Sequence, residues 1–167
     1  MPPLQTLDIL SAEQRRWLLG QQGRPCAAAV PSCAAASPQF LPHRITEQAR
    51  QQPATAAIDF DGSQLSYQDL DHRSNQLARY LLTQGTQPGE LIALCLERSP
   101  EMIIGLIGIL KAGAAWLPID PSLPDERIHW MLADAQVRHI LTQHALQERL
   151  TAHHTARRTA HSLDSHW

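Results

Sequence analysis

The chain has 167 residues, of which 43% are hydrophobic, 18% charged and 5% aromatic, and its formal net charge is −2 at pH 7. That length fits one modest domain or part of a larger one, with enough apolar residues for a core. A near-neutral balance with scattered basic residues excludes a charge-driven partner such as nucleic acid or an acidic membrane surface.

Residues 1–19 end in DILSAEQRRWLL (8–19), a short amphipathic helix with Ser11 as its cap and Gln14 at the reciprocal capping position. Acids and arginines interrupt every apolar stretch there, so no secretory signal is read. Residues 20–40 are rich in Gly, Pro, Ala and Ser without a period and read as a linker. The folded part is expected over 41–143. HRITEQARQQP suits a short helix stopped by Pro53, ATAAIDF a strand, and Asp61-Gly62 a hairpin turn leading into Ser66. Tyr67, Leu70, Leu77, Ala78, Leu81 and Leu82 then recur at helical spacing, with Ser66 and Asp69 as a capping pair and Gly85 as the stop.

Pro88-Gly89 turns the chain into ELIALCL, a continuous apolar run of strand length. Ser99, Pro100 and Glu101 open a helix that is apolar nearly all round and closes with Lys111 and Gly113. AAWLPI follows as a strand that Pro118 keeps short or confines to an edge. A third helix is expected from about Pro124 to Ala135, where Asp125 and Glu126 suit the positive end of the dipole, and VRHILTQ is a further strand. Strands alternating with helices at this spacing predict an α/β fold, a partial parallel β-sheet with crossover helices. Residues 144–167 read as a His-rich tail, solvated and disordered.

Candidate chemistry is sparse. Cys26, Cys33 and Cys95 form no CxxC pair, which suggests neither disulfides nor a zinc site and fits the reducing cytoplasm; Cys95 is expected as a small buried side chain. His153, His154, His161 and His166 crowd the tail without an HExxH helix or a cysteine partner, and are expected in solvent rather than on a metal. Asp120, between Pro118 and Pro121, has no paired carboxylate or base and is expected to accept a backbone hydrogen bond nearby. Arg98 and Arg127 are expected to pair with acidic neighbours at the surface, Gly105 and Gly108 to serve close packing, and Trp116 and Trp130 to fill the core or a seam. The run Met102–Ile119 would register as a membrane span, yet Lys111, Gly113 and Pro118 break it.

LKAGAAWLPIDPSLPDERIHWMLADA (110–135) resembles a core motif of the adenylation domains of nonribosomal peptide synthetases, members of the AMP-forming ligases. LSYQDLDHRSNQLARYL (65–81) resembles the motif before it, IALCLERSPEMIIGLIGILKAG the segment between them, and LSAEQRRWLL the linker that follows a condensation domain. The resemblance implies the front part of the N-terminal subdomain of the adenylate-forming ligase fold, within a parent that activates an amino acid with ATP and magnesium as aminoacyl-AMP. It implies an upstream condensation domain and a downstream carrier whose phosphopantetheine receives the acyl group. The family's Ser/Thr/Gly-rich phosphate loop, its ribose-holding aspartate, its amino-acid pocket and its C-terminal lysine have no counterpart in these residues. The chain is therefore expected to be a truncated, inactive fragment, with no catalytic, cofactor-binding or metal-binding residue assigned. The alternatives are a non-catalytic interaction module that complements a separate remainder, and a fragment of an acyl- or aryl-CoA ligase.

Overall fold

The computed structural model describes residues 40–151 and 158–164. The helix expected over 8–19, the linker up to residue 39, and Cys26, Cys33, His153, His154 and His166 lie outside the described residues.

Helix α1 (Leu41–Gln51) carries Pro42 in its first turn, where a missing N–H removes no intrahelical bond. Strands β1 (Ala56–Phe60) and β2 (Ser63–Ser66) pair antiparallel about Asp61 and Gly62. Both turn residues have positive φ, 49° and 77°, the geometry that matches the twist of a two-residue hairpin. Helix α2 (Tyr67–Thr83) starts where the Asp69 N–H donates to Ser66 Oγ at 3.1 Å. Gly85 then turns the chain at φ 85°.

From there strands and helices alternate: β3 (Leu91–Cys95), α3 (Pro100–Lys111), β4 (Ala115–Pro118), α4 (Asp125–Asp134), β5 (His139–Thr142), α5 (His144–Thr151) and β6 (Thr159–Ser162). Ser99 Oγ caps α3 by accepting the Met102 N–H at 3.3 Å, and Gly113 leaves the helix at φ 77°. The four strands β3 to β6 form one parallel sheet in the order β4-β3-β5-β6. Pro118 ends β4 at the sheet edge, where its missing donor breaks no inner ladder.

Side-chain alternation gives the sheet two buried faces. Ile92, Leu94 and Leu141 meet Leu77 and Leu81 of α2 and Ile109 of α3. Ala93, Cys95 and Ile140 meet Ile128 and Leu132 of α4 and Leu150 of α5. The hairpin and α1 pack on α2 and α3 through Leu65, Leu70, Ile104 and Ile45. Two expectations are corrected. The strand at 56–60 belongs to a separate two-stranded sheet, because the Asp61-Gly62 turn commits its backbone to β2. The segment 144–167 is no solvated tail where it is described: α5 and β6 complete the domain, and β6 pairs with β5 from His139↔Thr159 to Thr142↔Ser162. No helix among the described residues is long and apolar enough to cross a membrane.

Candidate functional site

The path of the chain reverses across β3. It passes from β3 outward to β4, then returns over β3 to β5 on the other side. In open parallel sheets the crevice at the carboxyl ends of the strands, near such a reversal, is where ligands settle. Here that region holds a cleft of about 660 Å³. Leu94 and Leu96 form its floor at the end of β3. Pro118, Asp120 and Pro121 form one wall past the end of β4, and Met102 of α3 and Leu146 of α5 close the sides.

The wall is held by one side chain. Arg149 of α5 donates from Nε to Asp125 Oδ1 (2.5 Å), from one terminal nitrogen to the Pro121 carbonyl (2.5 Å) and from the other to the Leu123 carbonyl (2.6 Å). The planar guanidinium fork suits three acceptors spread over one turn, which an ammonium cannot span. Asp120 completes the turn by accepting the Ser122 N–H at 2.8 Å. That bond holds its carboxyl below the usual carboxylate range, so Asp120 is a turn-forming anion. Arg149 has no local signal in HALQERLT; only the fold brings it to residues 121–125, 24 to 28 positions upstream.

The remaining candidates fall elsewhere. Cys95 is buried on the α4 side of the sheet, and burial pushes its thiol up to about 11, far from a nucleophile at neutral pH. Arg127 does not pair with an acid among the described residues; its guanidinium lies 4.7 Å from the Trp130 ring centroid. Arg98 lines the cleft and makes no ion pair among the described residues. Of the core or seam position expected for Trp116 and Trp130, the core is excluded, since they are 38% and 54% exposed; Trp116 sits on the edge strand and borders the cleft. Gly108 serves packing as expected, with Leu77 of α2 close against it. His161, expected in solvent, is buried on β6. Among the described residues no group of three His, Cys, Asp or Glu is placed to hold a metal ion.

The fold and cleft define an α/β domain of the kind that binds a ligand at the carboxyl edge of a parallel sheet. The family description AMP-binding enzyme matches residues 45–166, and the chain belongs to that family. It is 49% identical over 150 residues to a linear gramicidin synthase polypeptide of Brevibacillus parabrevis, covering 89% of this chain and 2% of that one. It is 48% identical over 102 residues to bacitracin synthase 3 of Bacillus licheniformis, covering 61% and 2%. The crystal structure of the nonribosomal peptide synthetase FmoA3 bound to α-methyl-L-serine-AMP superposes with a TM-score of 0.72 at 31% identity, covering 76% of this chain and 14% of that one. The described fold is the front of the N-terminal subdomain of the adenylate-forming ligases, as it occurs in the adenylation domains of these synthetases. The chain spans only 2% of the length of the gramicidin and bacitracin synthases it matches.

Proposed function

We propose that this chain is a structural part of an adenylation domain whose whole activates an amino acid with ATP as aminoacyl-AMP and passes it to a phosphopantetheine carrier. The carrying observation is the match of residues 45–166 to AMP-binding enzymes, joined to the likeness to a synthetase crystallised with an aminoacyl-AMP. A condensation domain before it and a carrier domain after it are the partners this reading assigns.

Within that whole the described residues act as wall and support. A phosphate clamp needs several free cationic or N–H donors converging on one anion. Arg149 faces the cleft, but three of its five N–H donors go to Asp125, Pro121 and Leu123, so it serves first to hold the wall. We therefore assign the binding of ATP and magnesium, and the phosphate chemistry, to other parts of the synthetase.

Two measurements test the reading. The purified chain with each common amino acid should give no exchange of pyrophosphate into ATP above blank; exchange abolished by one substitution in this chain would overturn it. In the second, residues 45–164 replace the matching segment of FmoA3. The chimera should keep exchange with α-methyl-L-serine. A folded chimera that has changed its amino acid would show that these residues select substrate, contrary to a supporting role.

A further inference from the structure

β6 is the last described strand and lies at one edge of the four-stranded sheet, and one of its central residues turns inward. His161 is 6% exposed. Its Nδ1 lies 2.9 Å from Tyr80 Oη on α2, and its Nε2 lies 3.2 Å from His139 Nδ1 on β5. The two imidazoles are tilted by 30° with centroids 5.4 Å apart. His139 is equally buried, and its Nε2 has no hydrogen-bond partner among the described residues.

Proton counting shows what this chain of rings tolerates. Each of the two hydrogen bonds uses one proton. With both rings neutral the chain runs in either direction: from Tyr80 through His161 to His139, or from His139 through His161 to the Tyr80 oxygen. One added proton still leaves the bond between the rings. Two added protons set N–H against N–H at 3.2 Å, so that bond is lost and two cations face each other out of water. The groups around the pair do not relieve this. Tyr80 is the polar group from α2, while Leu77 and Leu81 of α2, Ile109 of α3 and Leu163 after β6 make the same face apolar. Glu90 and Arg138 act on His139 with opposite sign, and the charge that acts on His161 is that of His139.

We propose that His139, His161 and Tyr80 form an acid-sensitive latch that fastens β6 to the sheet when the rings are neutral and releases it when both are protonated. Release would travel further. Asp164, just past β6, accepts the His144 N–H at 2.8 Å and the Ser162 hydroxyl at 2.5 Å, so it tethers the start of α5. The other end of α5 carries Arg149, which holds the cleft wall. The order of loosening is β6, then α5, then the 121–125 turn.

Burial lowers the affinity of His139 for a proton although Glu90 opposes this. Burial, and next the charge of His139, bring His161 down to about 4 from 6.5. A histidine whose folded value is depressed is protonated more readily in the released state. Its stabilisation is complete above about 6.5 and is lost as pH falls toward about 4. At pH 5 the difference for His161 alone favours release by a factor of about thirty.

The test is amide hydrogen exchange of the full chain at pH 7.5 and 5.0, corrected for the chemical rate. Protection of 159–163 should fall about thirtyfold at pH 5.0 while 91–95 keeps its protection, and H161Q, which does not titrate, should shrink the difference to the part that His139 contributes. Equal loss in both segments, or an unchanged pH response in H161Q, would overturn the latch. Histidine Cε1–H NMR titration of the unmodified chain decides independently of how well the variant folds. A buried histidine titrating below pH 5 supports the latch, and titration of every histidine near 6.5 sinks it.

Discussion

Replacing Lys111 by methionine keeps most of the side-chain volume and removes one charge from a junction of three helices. Lys111 Nζ donates to Asp71 Oδ1 (2.7 Å), to the Asp71 carbonyl (3.2 Å) and to Asn75 Oδ1 (2.9 Å). Asp71 also accepts from the Thr46 hydroxyl of α1 at 2.6 Å and from Asn75 Nδ2 at 2.9 Å. The two charged side chains are only 8% and 18% exposed. Removing one partner of a buried pair costs about 3–5 kcal/mol because the other charge stays uncompensated. Water reaches Asp71 in part and Thr46 and Asn75 still bond it, so the expected loss is about 2–3 kcal/mol. At about 1.5 kcal/mol per molar, that moves the urea midpoint down by about 1.3–2 M, followed by tryptophan fluorescence.

The pH dependence carries the same logic. Burial pushes the Asp71 carboxyl up, but the Lys111 and Thr46 hydrogen bonds and the Lys111 charge together hold it below its ordinary value. Its contribution is present above about 3.8 and is lost as pH falls through the lowered folded value. With methionine at 111 burial is less opposed, so acid unfolding should begin at higher pH. D71L in the methionine background should cost less than D71L alone by at least about 1.5 kcal/mol. Loss below about 0.5 kcal/mol for K111M, or simple additivity of the pair, would refute the junction as a stabilising unit.

The remaining expectations concern packing and reactivity. In G108A the new Cβ would lie 2.6 Å from Leu77 Cδ2 and 3.0 Å from Leu77 Cβ. The latter is fixed to the α2 backbone, so the helices must part, at about 1–3 kcal/mol in thermal unfolding. In G105A the clash is with the free ends of Leu94 and Leu163, and a smaller loss is expected; a larger loss than in G108A would contradict this account. Cys95, with its thiol pushed up to about 11, should stay unlabelled by iodoacetamide at pH 8 until the chain is unfolded, as read by peptide mass. Rapid labelling of the native protein would show the sheet face to be open.

Much of the frame is legible from local chemistry. Ser66 and Ser99 cap the helices that their spacing to the apolar stripes announces, and Gly85 and Gly113 adopt the positive φ expected at helix ends. Pro118 places β4 at an edge because it cannot donate. The cleft is less legible. The turn at 119–124 is readable from its prolines and Asp120, but its clamp comes from Arg149, whose surroundings in sequence are those of any polar helix. Lys111 reads as a cation at a helix end, whereas it joins α1, α2 and α3 through Asp71.

The alternation of helices and strands, the helix ends and the family all rest on residues within a few positions of one another, and the order of amino acids was enough to read them. Folding in three dimensions was needed to show that β1 leaves the parallel sheet and that the polar run RTAHS (158–162) is no tail. Thr159–Ser162 alternates polar and small residues and announces no core, and becomes a strand because β5 supplies its hydrogen bonds. His161 is buried because His139, 22 positions earlier, and Tyr80, 81 positions earlier, provide the polar partners it needs there. A polar side chain enters a core only when distant residues satisfy it, and no local pattern records such an arrangement.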